Sequence, residues 1–211
     1  MKNLKRYFII TLLLLIYILI YSISYANNSV SDLSNSVFRL HVIANSDSQD
    51  DQNLKYKVRD NLISYMNNIC KDVSTKKEAI NIANEHLNDF YEIAKHTIEE
   101  NGYNYDIKIS IGNFPFPTKT YGDINFPSGY YDALKVEIGD ANGKNWWCVM
   151  FPTLCFVDIS NGLVPEESKE DLQNALSEED YNLISSNNME YQFKFKLVEL
   201  FENTKIFTAK K

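Results

Sequence analysis

The chain opens on a basic cluster followed by a long apolar run. Lys2, Lys5 and Arg6 precede Tyr7–Tyr21, which only Thr11 interrupts, and Ser24-Tyr25-Ala26 then sets small residues at the two positions that define a cleavage site. This is the pattern of a signal peptide occupying residues 1–26. Counted as far as Tyr25 the run is about 19 residues, long enough to span a bilayer, so an uncleaved anchor with its basic end in the cytosol is the alternative. Both readings put the folded part outside the cytoplasm. Residues 27–35 are polar and serine-rich and read as a linker.

From Val37 the pattern is that of a folded domain. Phe38, Leu40 and Val42 alternate with Arg39 and His41, which predicts a half-buried strand. Leu54, Val58, Leu62, Tyr65 and Ile69 recur at helical spacing, with Asp50 and Asp51 placed at the positive end of that helix. Thr75 and Glu78 form a capping pair ahead of a second helix striped by Ile80, Ala83, Leu87, Phe90, Ala94 and Ile98, which Asn101-Gly102 ends. Tyr105, Ile107, Ile109 and Ile111 then alternate with polar residues as a second strand. Phe114 to Tyr131, with three prolines and two glycines, reads as a long aromatic loop. Leu134–Ile138 and Trp146–Phe151, joined by Gly139-Asp140-Ala141-Asn142-Gly143, read as a β-hairpin whose second strand is apolar on both faces. Either the C-terminal segment or a partner must cover the second face.

This order predicts an α+β two-layer domain over residues 36–160, with a mostly antiparallel sheet and two adjacent helices behind the N-terminal signal or transmembrane segment. Residues 161–211 read as an extension packed on that core. Ser168–Leu176 and Glu178–Ile184 are helical by pattern, and Tyr191–Leu197 alternates as a strand would.

Composition narrows the class without naming an activity. Hydrophobic residues are 45% and charged residues 23% of the 211, the balance of a globular protein. The net charge is −7, and the export segment holds three of the cations, so the domain itself is more acidic still. A general nucleic-acid binder would need a basic face that this balance disfavours. Cys70, Cys148 and Cys155 are an odd count for an exported chain, so at least one thiol is free or pairs between molecules. Cys148 and Cys155 flank Pro152 closely enough for a local disulfide; the alternative is three buried thiols packing as small apolar groups.

The strings that resemble catalytic motifs fail on inspection. Gly139–Lys144 has three residues between its glycines where a phosphate-binding loop has four, and Asn145 stands where a magnesium-binding hydroxyl belongs. Asn45, Asp47, Gln49 and Asp51 alternate like calcium ligands, but Asp50 and Tyr56 occupy the turn-glycine and bidentate-glutamate positions. Helix capping is their simpler role. His86 and His96 fall about 80° apart around one helix and almost three turns apart along it, so they share no metal unless the helix breaks. Glu85-His86 lacks the second histidine of a zinc-protease helix, and no G-x-S-x-G string occurs. No metal or cofactor is therefore expected, and a binding or signalling module ranks ahead of an enzyme.

Two segments carry a resemblance. FRLHVIANSDSQDDQNLKYKVRD (Phe38–Asp60) and NWWCVMFPTLCFVD (Asn145–Asp158), with Pro127–Tyr131 and Ala133–Val136 between them, resemble the stage II sporulation protein R family over about residues 36–160. The resemblance implies a protein exported from the forespore into the space between the two membranes that separate it from the mother cell. There it would activate a membrane-embedded aspartic peptidase, its partner, which cleaves the precursor of sigma factor E. Only the export segment would meet a membrane.

The expected partner-binding residues are two sets. Asn45, Ser46, Asp47, Ser48, Asp51 and Gln52, with Lys55 and Arg59 further along the helix, match the first block. Trp146 and Trp147, with Phe151 and Phe156, match the second, and tryptophan is enriched where binding energy concentrates. The plain alternatives are helix capping for the first set and core packing for the second. Two other function classes stay open: a cell-wall hydrolase using an acid/base pair drawn from Asp47, Asp50 and Asp51, and a structural protein held at the membrane by an uncleaved anchor.

Overall fold

The strand expected at Val37–Ile43 forms as β1 (Phe38–Ile43), but it lies inside a sheet instead of at a half-exposed face. All six of its residues are buried, Arg39 and His41 included. In the computed structural model, which describes residues 2–152, Val164 and 166–185, β1 has a neighbour on each side. β5 (Gly129–Ile138) runs parallel to it, and β6 (Asn145–Phe151) antiparallel. β2 (Ile107–Phe116) pairs antiparallel with β5, giving the mixed order β2-β5-β1-β6. The domain is α+β as expected, with one parallel pair in the sheet.

The expected hairpin is therefore not one. β5 and β6 flank β1, so that Leu40 pairs with Leu134 on one side and Cys148 on the other. The turn after β5 crosses the end of β1 and is bonded to it: Gly143 N–H donates to the Ala44 carbonyl at 2.9 Å and Asn142 N–H to that of Asn45 at 3.1 Å. A Cβ at Gly143 would run into the Ser46 carbonyl, a backbone atom with little freedom to move. Gly143→Ala is expected to cost about 1–3 kcal/mol, the usual scale of overpacking, read as a lower urea midpoint.

The helices follow the sequence pattern closely. α2 (Gln49–Ile69) is capped by Ser48, whose hydroxyl accepts from Asp51 N–H, and buries Leu54, Val58, Leu62 and Met66. The second helix breaks at His86 into α3 (Lys76–Glu85) and α4 (Leu87–Glu100), although its apolar stripe continues through the break. Thr75 caps α3 by accepting from Glu78 N–H, and Gly102, at φ 82°, follows the end of α4. α2 and α4 pack together, α2 against β1 and α4 against β2.

The other face of the sheet holds the expected loop. β2 extends to Phe116, a small hairpin of β3 (Lys119–Tyr121) and β4 (Ile124–Phe126) turns at Gly122, and β5 starts at Gly129. Its order has a physical cause: Phe116, Tyr121, Phe126 and Tyr131 close over Arg39, which is wholly buried. α5 (Glu166–Ala175) and α6 (Glu178–Ser185) appear where predicted, and α6 packs on β4.

At the N-terminus, α1 (Lys2–Ser36) continues through residues 27–35, where the composition suggests a linker. Its end is tied to the domain by buried Leu33 and by Lys76, which donates to the Ser34 carbonyl and pairs with Asp132, each at 2.7 Å. Among the described residues no helix is long and apolar enough to cross a membrane. Cys155, Phe156 and the strand expected at Tyr191–Leu197 lie outside the described residues.

Candidate functional site

The two sequence blocks meet at one place, where the loop between β1 and α2 faces the turn between β5 and β6. Asp51 is its hub. Its Oδ2 accepts from Asn45 Nδ2 at 2.9 Å and Ser46 Oγ at 2.5 Å, and Tyr105 also bonds to the carboxylate. Burial opposes ionisation here, but the donors Ser46, Asn45, Tyr105 and Ser48 outweigh it and hold the carboxyl below the usual carboxylate range. Asn45 Oδ1 accepts from Asp140 N–H at 3.0 Å, and Asp47 Oδ1 from Lys144 N–H at 2.7 Å, so the loop and the turn are locked together.

Along α2 the network continues inward. Gln52 donates from Nε2 to the Ser46 carbonyl at 2.8 Å and accepts from Lys55 Nζ at 2.6 Å. Lys55 also donates to the Lys144 carbonyl at 3.1 Å and is almost wholly buried. Burial lowers its pKa to about 8, with Arg59 and Lys144 pushing the same way and Asp47 opposing. One turn on, the Arg59 guanidinium lies 4.2 Å from the Trp146 ring centroid and 4.9 Å from that of Tyr56, and Tyr56 meets Trp146 edge to face. Asp60 holds the outer side of Arg59 at 2.6 Å. Arg59 Nη1 and Trp146 Nε1 are buried without hydrogen-bond partners.

The expected site residues thus divide by exposure. Asp51, Gln52 and Lys55 are interior and spend their polar atoms on holding the junction. Asp47 and Ser48 are exposed, and Asn45, Ser46, Arg59 and Trp146 are half-buried around them. Trp147 points to the opposite face, stacked on His41 at 3.6 Å with Phe116 edge-on at 4.7 Å. The two tryptophans therefore belong to different surfaces. Sequence reasoning missed Tyr56, Tyr105 and Lys144 at the junction; only Tyr56, one turn before Arg59 on the same helix, carries a signal that spacing could have found.

The geometry bears on the chemical readings too. A general acid needs a carboxyl held above its ordinary pKa, and Asp51 is held below it. The helix does break at His86, yet His86 Nδ1 engages Asp89 at 2.6 Å beside the Tyr65 hydroxyl, while His96 faces Glu100 at 3.3 Å. No group of three metal-binding side chains occurs among the described residues. Cys148 is disulfide-bonded, and Cys70 is a buried free thiol beside Met66 with its pKa raised by burial.

Comparison with known proteins agrees with the two blocks. The family model for stage II sporulation protein R matches residues 34–161. Stage II sporulation protein R of Bacillus subtilis (strain 168) is 38% identical over 138 residues, which is 65% of this chain and 62% of that protein. The matched stretch therefore spans less than two thirds of its relative. No solved structure matches. A match over more than half the chain, containing both blocks that the fold brings together, places this protein among those of sporulation: it belongs to the stage II sporulation protein R family.

Proposed function

We propose that this chain is an exported sporulation signal that activates a membrane-embedded aspartic peptidase, which then processes the precursor of sigma factor E. Its output is recognition, and it acts in the space between the forespore and mother-cell membranes. The observation that carries the reading is the meeting of the two blocks. About ninety residues apart in sequence, they form one cross-bonded junction in which Asp47, Arg59 and Trp146 reach the surface on a rigid frame. A ligand that shifts a receptor between two states needs such a preorganised surface, because it moves the equilibrium only by its differential affinity. The N-terminal basic and apolar segment supports export.

The test is to express the full chain with the peptidase and the sigma precursor in cells that otherwise lack all three, and to follow precursor cleavage. Cleavage should require both the chain and the peptidase. Trp146→Ala should lower it at least tenfold, the scale of losing a central tryptophan, about 2 kcal/mol. Wild-type cleavage by a folded Trp146→Ala protein would remove the junction from the receptor contact. Cleavage independent of the chain would end the proposal.

A further inference from the structure

Among the described residues the sheet has an unpaired edge at β2, and its backbone pattern is legible. β2 has β5 as its one neighbour in the sheet among the described strands. The ladder begins with Gly139 N–H donating to the Asp106 carbonyl at 2.8 Å, just before the Ile107–Ile138 pair. In an antiparallel ladder the residues that bond to a given neighbour alternate. Lys108, Ser110, Gly112 and Phe114 therefore turn their backbone groups toward β5, and Ile107, Ile109, Ile111 and Asn113 turn theirs outward. Pro115 confirms the parity: a residue with no N–H is tolerated at an edge only where that group would point away from the sheet.

This edge lacks the usual protection among the described residues. Natural edge strands are short, heavily charged, bulged or covered. β2 is ten residues long, and its pairing with β5 runs without a register shift. Between Ile107 and Phe116, Lys108 is its one charged residue. Among the described residues, nothing hydrogen-bonds to the outward groups of Ile107, Ile109 or Ile111.

We propose that a second copy of this chain pairs here, β2 to β2, antiparallel about a two-fold axis at Ser110. The register is self-complementary. Ile107 then faces Asn113 of the partner and Ile109 faces its Ile111, all with outward backbone groups, so each position both donates and accepts. Lys108 faces Gly112 across the axis, and on its other side it already faces Glu137. No like charges meet at the seam, and the three isoleucines, all on the helix-covered face, continue across it. A two-fold contact of this kind closes on itself, so the assembly stops at a dimer.

The proposal does not depend on the receptor reading, and its test uses none of the receptor's components. At the axis the two Ser110 residues form a non-hydrogen-bonded pair with Cβ atoms about 4.5–5.5 Å apart, close to the reach of a disulfide. In the full chain, Ser110→Cys should give an oxidised dimer on non-reducing gels at least ten times more abundant than wild type, which keeps Cys70, Cys148 and Cys155, or than Lys108→Cys. Ser110→Lys and Ser110→Glu, each placing like charges on the axis at an exposed position, should shift the detergent-purified chain to monomer by light scattering. An equimolar mixture of the two should restore the dimer, which excludes misfolding as the cause. A wild-type chain that stays monomeric at all concentrations would overturn the proposal. So would Ser110→Cys linking only to a protein of different mass, which would make the occupant another chain.

Discussion

Replacing Arg39 by alanine is expected to destabilise the domain by about 4 kcal/mol, while replacing it by methionine should change stability by less than about 1.5 kcal/mol. Arg39 is the largest wholly buried side chain among the described residues. Its guanidinium carbon lies 4.2 Å from the Phe116 ring centroid, 4.8 Å from that of Tyr131 and 5.4 Å from that of Phe126. Nη2 donates to the Tyr121 hydroxyl at 2.9 Å, Nε to the Cys148 carbonyl at a long 3.4 Å, and Nη1 has no partner. A cation over aromatic faces gains about 2 kcal/mol when desolvated, less than the several kcal/mol that burial of a charge costs. The side chain therefore contributes chiefly by filling the space beneath the β3–β4 hairpin, which methionine also fills and alanine leaves empty. With total stabilities of about 5–15 kcal/mol, the alanine variant loses a large share of the fold. Urea midpoints for the two variants decide it: equal losses would show that the charge, and not the volume, holds the hairpin down.

Arg39 also shows where the sequence stops being informative. Its alternation with Phe38 and Leu40 marks a strand correctly, but alternation separates the two faces of a strand and says nothing of whether the second face is wet. The covering aromatics Phe116, Tyr121 and Phe126 lie some eighty residues away, in a stretch whose prolines and glycines look like loop signals. The false hairpin has a related cause. Gly139–Gly143 does turn the chain, with positive φ at Gly139 and Ala141, but a local turn signal does not record that another strand fits between its arms. The break at His86 was hidden because the apolar spacing carries through it. The helix caps at Ser48 and Thr75 were legible, since capping is settled within one turn of chain.

At the junction the sequence pattern groups residues that the fold does bring together, but it does not show how they divide between interior and surface. Short polar side chains around a helix start predict a network, and Asn45, Ser46, Ser48, Asp51 and Gln52 form one. Which of them remain for a partner depends on the β5–β6 turn closing over them through Lys144 and Asp140, a long-range contact. The interior half of the set fixes the frame, and the outer half, Asp47 and Ser48, is left exposed. Substitutions at Asp51 will therefore act through folding, whereas the receptor proposal requires those at exposed Asp47 to act through recognition.

The second large effect is a loss of stability in mild acid, and His41 sets its window. His41 is buried beside Trp147 and Phe116, donates from Nε2 to Asn145 Oδ1 at 2.6 Å, and faces Lys135, Glu137 and Arg39. Burial lowers its pKa from 6.5 to about 4; the Asn145 bond and Glu137 oppose the shift, while Lys135 and Arg39 add to it. The folded state thus favours the neutral ring. Its contribution is complete above the unfolded value of 6.5 and drains away as pH falls toward about 4. A shift of this size corresponds to about 3 kcal/mol. The carboxylates of Asp51 and Asp132 are also held low, but their stabilisation is lost only below the ordinary value of 3.8, so the two effects separate along the pH axis. Urea midpoints measured from pH 7 to pH 4 should fall steadily for the wild type. His41→Gln, which retains a donor for Asn145 and cannot charge, should flatten most of that slope while leaving the loss at lower pH in place. An equally steep decline in the glutamine variant would assign the acid sensitivity to other groups.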